Sequence, residues 1–366
     1  MDERGWLEAL VGSWMKPVYD VAPWVAYLVP VVWILAIVAA SALLLVWLER
    51  KISADIQSRI GPVHHGPWGL FQTVFDALKL LVKEDIVPRA ADKIVFCVAP
   101  FIALVPAVLL YCVIPFGKGW IAADLNVGLF YLLATGSLGV IGVILAGWAS
   151  NNKWSLLGGM RAAVQLITYE IPGFLSVVAI IMIAGTLSMT EIVRSQAGGS
   201  WHLWPVSAPF LKWNCFTIPG FLAAALYLVA ALAEVNRNPF DLPEAESELV
   251  SGFNTEYSGF RWAVFFLAEF SNTALVAGIA TTLFFGGWSS PLVSQGTGVF
   301  TVLGDGVLWY IIKVSVLVYC MMWIKWTLPR VRIDQMLQVA WKGLIPLSLA
   351  NMAIAAVHVA LVGVTR

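Results

Sequence analysis

The sequence predicts an all-α integral membrane protein: a bundle of eight transmembrane helices, with an amphipathic surface helix in the first cytoplasmic loop. Three observations predict this class. Of the 366 residues, 60% are hydrophobic and 12% are charged, about half the charged fraction of a soluble domain. Eight apolar runs are long enough to cross a bilayer as helices, which takes about 20 residues. The runs are continuous rather than alternating, which favours helices over barrel strands.

We predict one polytopic membrane domain over residues 1–366, and the distribution of Lys and Arg predicts its orientation. The predicted spans are 24–48, 94–116, 127–149, 171–190, 214–235, 262–286, 306–325 and 343–363. The first run is too long, and begins too far along the chain, for a cleaved signal peptide. Of the 22 Lys and Arg, fifteen lie on the side of the membrane that carries the odd-numbered loops and six lie on the opposite side. The remaining one lies within a span. The odd-numbered loops are therefore expected in the cytoplasm, with both termini on the outer side.

Charge and motif content exclude several classes of function. The net charge of zero argues against a nucleic-acid-binding protein, which needs an excess of basic residues. The four Cys and four His have no ligand spacing, so we expect no metal, haem or iron–sulfur site in this chain. No GxGxxG or P-loop motif occurs, so a nucleotide cofactor is not expected either.

The first cytoplasmic loop combines a glycine- and proline-rich turn with an amphipathic helix. Residues 57–62 include Arg59 beside a Gly-Pro pair that breaks any helix. Over residues 68–84, apolar side chains recur at helical spacing, and Asp76 and Lys79 belong to the opposite face. This pattern predicts a helix along the membrane surface, and it fits a simple anchor as well as a functional element. Arg59 could contact either a lipid headgroup or a ligand.

The second and third cytoplasmic loops concentrate carboxylates. Glu170 stands just before Pro172 at the mouth of the fourth predicted span. Six more acidic residues surround Arg237, namely Glu234, Asp241, Glu244, Glu246, Glu248 and Glu256. A solvated acidic loop is the simpler explanation of such a run. The interleaved apolar residues indicate instead that part of the loop is buried.

Two charged residues lie well inside predicted spans, away from the span ends: Glu269 in the sixth and Lys313 in the seventh. Such a residue costs about 2.5–3.5 kcal/mol on insertion scales, which makes it a candidate for function. The two side chains could form an ion pair with each other. Alternatively, Glu269 could extend the acidic series of the loops into a relay, because clustered carboxylates in a low dielectric favour holding protons.

Nine motifs spread from the first span to the last resemble those of one family. The motifs are Glu49–Lys51, Arg59–Pro62, Asp76–Asp85, Asp124–Gly128, Gly147–Lys153, Thr168–Pro172, Asn236–Glu246, Thr255–Gly259 and Pro329–Asp334. With them the chain resembles the H-subunit family of bacterial NADH–quinone oxidoreductase, or respiratory complex I, to which subunit 1 of mitochondrial NADH dehydrogenase also belongs. The acidic motif of the third loop is the most specific of them.

The resemblance implies a role in quinone chemistry and proton pumping. The residues that would line or border the quinone chamber are Glu49, Arg50, Arg59, Asp76, Lys79, Arg237, Arg330 and Arg332. Those that would couple quinone reduction to proton pumping are Glu170, Glu234, Asp241, Glu244, Glu246, Glu248, Glu256 and Glu269, with Lys313 as a further candidate. Quinone would be the substrate, with FMN and iron–sulfur clusters only in partner subunits.

The resemblance also implies partners and a location. The partners would be other membrane-arm subunits, the quinone-site subunits of the peripheral arm and the lipid bilayer of the bacterial inner membrane. Two other interpretations stay open from the residues. Related ferredoxin-linked or hydrogenase complexes contain similar membrane subunits. An independent secondary transporter would also suit intramembrane Glu and Lys, although the halves of the chain show no repeated motif.

Overall fold

A computed structural model describes residues 25–197, 212–243, 246–291 and 305–363 of the chain. Within these ranges every regular element is helical, which confirms the predicted all-α class. The α-helices are α1 Val25–Ile56, α2 Gln72–Val82, α3 Lys93–Tyr111, α4 Gly128–Gly136, α5 Leu138–Ala149, α6 Lys153–Ala184, α7 Met189–Gln196, α8 Ile218–Glu234, α9 Glu246–Leu249, α10 Gly259–Phe284, α11 Val307–Thr327, α12 Ile333–Gln338 and α13 Ile345–Val362. A π-helical turn, Val339–Leu344, joins α12 to α13.

Seven helical segments of the described chain are long and apolar enough to cross a bilayer, which fits a multi-pass membrane protein. The segments are Val31–Ile56, Lys93–Tyr111, Gly128–Ala149, Lys153–Ala184, Gly259–Phe284, Val307–Thr327 and Ile333–Val362. The predicted fifth span corresponds to α8, which is apolar but has only 17 residues.

Two helices extend well beyond the predicted spans at the end of the bundle that carries the odd-numbered loops. Helix α1 continues to Ile56, past the predicted end at residue 48. Helix α6 begins at Lys153, well before the predicted start at residue 171. The Asn152 side chain accepts a hydrogen bond from the Trp154 N–H and caps this start. Hydropathy marks the membrane-embedded part of a helix, whereas backbone hydrogen bonding continues past it.

The third apolar segment is interrupted where α4 meets α5. Ser137 stands between the two helices, and its Oγ donates to the Ala134 carbonyl at 3.0 Å. A Cβ placed on Gly136 or Gly139 would meet no atom within 4 Å, so open space adjoins the interruption. The break therefore borders a cavity rather than a packed interface.

Helix α2 lies within the predicted amphipathic segment and packs against α1 and α10. Its Thr73 is buried, whereas Phe75, Leu78 and Leu81 are each more than half exposed. The exposed row of large apolar side chains fits contact with lipid, as the amphipathic pattern predicts.

Helix α6 is the centre of the bundle and packs against α5, α8 and α13. Gly158 on this helix lets the 3-10 turn Gly252–Asn254 approach closely, because a Cβ at Gly158 would lie 2.7 Å from the backbone of that turn. The third loop is thus seated directly on α6. We call the end of the bundle with this loop the near end, and the opposite end, with Lys118, the far end.

Candidate functional site

An apolar cavity of about 410 Å³ lies between α2 and the membrane helices α1, α3 and α10, and we call it the apolar passage. Its walls are formed mainly by aliphatic and aromatic side chains, including Leu43, Leu80, Phe101 and Leu267. The charged residues on its wall are Arg50, Asp76 and Lys79, three of the predicted chamber residues. Arg50 Nη1 contacts Asp76 Oδ2 at 2.5 Å, and this ion pair joins α1 to α2.

A polar cavity of about 360 Å³ adjoins the passage, and we call it the polar chamber. The two cavities share wall residues, namely Val46, Arg50, Trp262 and Phe266. Ionic groups dominate the chamber wall: Glu49, Arg50, Arg59, Arg237, Glu269 and Lys325. An elongated molecule with an apolar tail and a polar head could therefore lie across both cavities.

Aromatic rings line the way from the passage into the chamber. Trp262, Phe266 and Phe270 follow one another at a spacing of four residues on α10, so they share one helix face. The ring centroids are 4.9 Å apart for Trp262 and Phe266 and 4.5 Å apart for Phe266 and Phe270. The Arg237 guanidinium lies 4.4 Å from the Phe270 ring centroid. The row of rings thus ends at a buried cation.

Four charged side chains form a linked cluster at the base of the chamber. Glu49 accepts a hydrogen bond from Arg237 at 2.8 Å and also pairs with Lys325. Arg237 Nη2 lies 3.4 Å from Glu269 Oε1. The Arg237 side chain is 7% exposed, so its charge depends on these carboxylates for compensation. The cluster brings Glu49, Arg237 and Glu269 together from three separate parts of the sequence.

A third cavity, of about 90 Å³, lies deeper in the bundle, and we call it the acidic cavity. Glu170, Glu234 and Glu269 all line it, together with Asn254 and Asn272. The break between α4 and α5 contributes Gly136 and Gly139 to the wall. Glu269 and Asn254 also line the polar chamber, so the two cavities meet at these side chains.

The third loop is held in place by buried polar and aromatic contacts. Gln165 on α6 is fully buried, and its Nε2 donates to the carbonyls of Ala233 and Phe240 at 2.8 and 2.7 Å. Tyr257 stacks on Phe96 with ring centroids 4.1 Å apart. Burial raises the pKa of Tyr257 above its ordinary value, so this phenol stays neutral. These contacts fix the loop as a wall of the site.

Several predicted residues lie at the near end but outside the three cavities. Arg330 and Asp241 face each other with Nη2 and Oδ2 3.7 Å apart. Glu248 pairs with Arg161 at 2.7 Å, and Glu256 accepts a hydrogen bond from the Asn152 side chain at 2.6 Å. Arg332 is exposed at the start of α12. Glu244 and the side chain of Glu246 lie outside the described residues.

Lys313 occupies a different place from the acidic residues, at the far end of the bundle. Its Nζ donates to the carbonyls of Phe285, Gly287 and Ser289 at 2.7, 2.9 and 2.7 Å. It also lies 4.0 Å from the Trp213 ring centroid. Phe285 is 16 residues beyond Glu269, which corresponds to about 24 Å along the helix. The ion pair between Glu269 and Lys313 considered from the sequence is therefore not formed.

Reasoning from the sequence missed Lys325 and the two asparagines of the acidic cavity. Lys325 lies at the end of an apolar run, where a basic residue is common. From the sequence it therefore indicates only the orientation of the helix in the membrane. Asn254 and Asn272 carry no charge and belong to no recognisable spacing. Only the fold shows that they line the same space as Glu269.

The NADH dehydrogenase family model matches residues 29–356, which includes every described wall residue of the three cavities. The chain belongs to the NADH dehydrogenase family. This confirms the resemblance carried by the nine motifs.

Curated members of the NADH dehydrogenase family match this chain over most of its length. One from Dehalococcoides mccartyi strain CBDB1 is 45% identical over 336 residues, covering 92% of this chain and 88% of its own. One from Chlorobaculum tepidum is 46% identical over 319 residues, covering 86% and 87%. One from Phocaeicola vulgatus is 42% identical over 350 residues, covering 95% and 94%. Each of the three is named as the H subunit of NADH-quinone oxidoreductase.

Proposed function

We propose that the chain is the membrane-embedded H subunit of a proton-translocating NADH–quinone oxidoreductase. In this role it forms the passage by which quinone enters, much of the quinone chamber and the first part of the coupling path. The similarity to relatives of that name over nearly their whole length supports the assignment. The observation that carries it is the series of three cavities with shared walls, which runs from the apolar passage through the polar chamber to the acidic cavity.

The chemistry of the first two cavities suits the two parts of a quinone. The apolar walls of the passage can hold an isoprenoid tail, whose burial is favoured by the hydrophobic effect. The headgroup would then lie in the polar chamber, where Arg50 and Arg59 can stabilise the negative charge that develops during reduction. Quinone reduction takes up two electrons and two protons, so acidic groups beside the headgroup respond to each step.

Coupling begins at Glu269, because this carboxylate borders both the polar chamber and the acidic cavity. A change of charge on the quinone shifts the balance of the cluster formed by Glu49, Arg237 and Glu269. Glu170 and Glu234 line that adjoining cavity together with Glu269, so the three carboxylates share one small space. Protonation of one such carboxylate relieves repulsion on the next, so the change propagates into the membrane arm.

The remaining loop carboxylates extend this proposal to the surface of the near end. Asp241, Glu248 and Glu256 are each held by a polar or basic side chain of another segment. We assign them, together with Glu244 and Glu246, to the electrostatic continuation of the path toward the pumping subunits. Arg330 and Arg332 belong to the chamber border that a partner of the peripheral arm would complete.

The same proposal sets the arrangement in the membrane. Helix α8 completes the set of eight spans, and its start is capped by Thr217, whose Oγ accepts from the Gly220 N–H. The near end faces the cytoplasm and both termini face outward, and the excess of basic residues on the side of the odd-numbered loops supports this orientation. FMN and the iron–sulfur clusters belong to partner subunits of the peripheral arm.

Narrowing the apolar passage tests the proposal. Ala77 on α2 lines the passage, whereas its neighbour Leu78 does not and is 51% exposed. In the purified complex, Ala77→Trp should raise the apparent KM for a long-tailed quinone about tenfold, or about 1.4 kcal/mol. A short-tailed quinone should be affected less, because less of its length must pass the obstruction.

Leu78→Trp is the matched control and should leave the apparent KM for both quinones unchanged. NADH oxidation with ferricyanide, which bypasses the quinone site, reports how much enzyme has assembled in each variant. If Ala77→Trp and Leu78→Trp changed the apparent KM for the long-tailed quinone equally, the apolar passage would not be the route by which quinone enters.

The electron donor is tested separately by purification in mild detergent. A flavin-bearing, NADH-oxidising partner that copurifies with the chain supports the NADH-linked enzyme. Copurification with a ferredoxin-binding or hydrogenase partner instead would assign the chain to one of the related complexes.

A further inference from the structure

Another apolar cavity lies toward the far end of the bundle, with walls formed by other residues than those of the three cavities described above. It has a volume of about 320 Å³ and lies between α1, α10, α11 and the end of α3. Trp33, Phe116, Trp120 and Tyr310 are among its wall residues. The ring centroids of Trp33 and Phe116 are 5.7 Å apart, and those of Phe116 and Tyr310 are 5.5 Å apart. The wall is therefore largely aromatic.

Two polar side chains on this wall, Tyr111 and Ser41, bond within the protein. Tyr111 Oη donates to the Ser271 carbonyl at 2.8 Å, and Ser41 Oγ donates to the Val38 carbonyl at 2.9 Å. The surface that the cavity offers to an occupant is almost entirely hydrocarbon and aromatic ring. An apolar chain satisfies such a wall, whereas a polar ligand would lose its hydrogen bonds to water without replacement.

Exposed wall residues on α1 and α11 indicate that the cavity opens between these two helices. Its wall on α1 includes Ile37, which is partly exposed, and its wall on α11 includes Ile311, which is 54% exposed. Both helices belong to the membrane-crossing set, so this opening faces the bilayer. Hydrocarbon chains of lipid have direct access to it.

A lysine stands at one end of the cavity, on a turn whose flanking residues Phe116 and Trp120 line the wall. Lys118 lies in the short turn between Phe116 and Trp120, whose backbone is closed by a hydrogen bond from Phe116 N–H to the Trp120 carbonyl at 3.0 Å. Its side chain is 63% exposed and pairs with Asp305 at 3.2 Å. An ammonium has three donors, so the pair with Asp305 leaves capacity for a second anion. Tryptophans such as Trp33 and Trp120 favour headgroup depth, which places Lys118 among lipid headgroups.

We propose that this cavity holds an acyl chain of an anionic phospholipid, with the lipid phosphate paired to Lys118. The cavity volume is about 320 Å³. A group the size of a water molecule takes about 30 Å³, so about ten chain groups of that size fit into the cavity. The positive charge of Lys118 favours a phospholipid over a quinone, since a quinone carries no anionic headgroup. The proposal stands apart from the proposed quinone function, because the cavity shares no wall residue with the other three.

Photo-crosslinking tests this site in the intact complex reconstituted into liposomes. The probes are phosphatidylglycerol and phosphatidylcholine, each with a diazirine on one acyl chain, and labelled residues are located by mass spectrometry. The phosphatidylglycerol probe should label Ile37 and Ile311 several-fold more than Val316, which is exposed on the same helix as Ile311 but does not line the cavity. Lys118→Gln should abolish the preference for phosphatidylglycerol at these residues.

A bulky substitution at the cavity opening provides a second test of the lipid site. Ile311→Trp should remove labelling at Ile37, whereas Ile312→Trp, a neighbour outside the cavity wall, should not. Labelling spread evenly over the exposed residues of α1 and α11 would overturn the proposal, as would an absence of label at Ile37 and Ile311. Labelling that is unaffected by Lys118→Gln would overturn the role of the headgroup.

Discussion

At the scale of single residues, the site depends on one buried arginine. Arg237 contacts carboxylates from two transmembrane helices, Glu49 and Glu269, and packs on the ring of Phe270. A buried charge of this kind is stable only while its partners remain, because each ion has lost its hydration. Arg237 therefore ties the third loop to both helices and sets the charge balance of the polar chamber.

Removing that arginine should destabilise the protein strongly. Arg237→Met leaves Glu49 and Glu269 facing each other without their shared cation, at a cost of about 3–5 kcal/mol. We expect a lower thermal transition of the purified complex and less assembled enzyme. Adding Glu269→Gln to Arg237→Met should recover part of the loss, because it removes one uncompensated charge.

The control for Arg237→Met is Arg161→Met, which breaks the more exposed pair with Glu248. Exposed pairs contribute about 0–1 kcal/mol, so the thermal transition should barely move. If both variants shifted the transition equally, Arg237 would have no special part in the cluster.

Individual residues also show how far sequence reasoning reaches. Glu269 is predicted as a candidate because a carboxylate within an apolar run is costly, and the structure places it between two cavities. The pattern cannot name its partner, since Arg237 and Lys313 are both available. The choice is made by the direction in which each side chain projects from its helix, which depends on the packing of three helices at once.

At the scale of elements, hydropathy identifies the apolar helices but not their full lengths. The run from Lys153 to Glu170 contains Arg161 and Gln165, so it does not count toward a span, yet it is a continuous part of α6. The break between α4 and α5 is equally hidden, because Gly136, Ser137 and Gly139 interrupt an apolar run without lowering its hydropathy much. Both features position the acidic cavity.

The far end of α10 is held by Lys313, and this makes a prediction about that helix. The three carbonyls that accept from its ammonium lie at and beyond the last turn of α10, where a cation also complements the helix dipole. Lys313→Met should destabilise the protein by about 1.5–3 kcal/mol, as expected for lost hydrogen bonds to a charged group. The assembled fraction should still pump the same number of protons per electron.

Lys342→Met is the control for Lys313→Met, because Lys342 is exposed and its loss should change stability by less than about 0.5 kcal/mol. Thermal unfolding measures the stability, and proton uptake per NADH in liposomes measures coupling. If an assembled Lys313→Met enzyme pumped fewer protons per electron, Lys313 would take part in the proton relay, as the sequence suggests.

At the scale of the whole molecule, the charges are organised by depth and by end. The polar chamber and acidic cavity gather carboxylates and cations near one end of an otherwise apolar bundle. The far end instead carries an aromatic cavity and the pairs that involve Lys118, Asp305 and Lys313. The net charge of zero thus conceals two ends with different chemistry.

The all-helical class could be predicted from hydropathy, and most of the charged residues on the cavity walls could be expected from the motif resemblance. The connection between cavities could not, because it depends on walls shared between helices that are distant in sequence. Val46 on α1 and Trp262 on α10 illustrate this, since they line both the passage and the chamber.

In the proposed function, quinone chemistry is linked to proton movement through the acidic cavity, and Glu234→Gln is the sharpest test of that link. Glu234 lines that cavity, and glutamine keeps its shape without its proton. In liposomes, the assembled variant should lose proton pumping about tenfold or more, equivalent to about 1.4 kcal/mol. Glu84→Gln, which alters an exposed carboxylate outside the three cavities and outside the proposed path, should pump normally. If an assembled Glu234→Gln enzyme kept full quinone reduction and full proton pumping, the acidic cavity would not be the link between them.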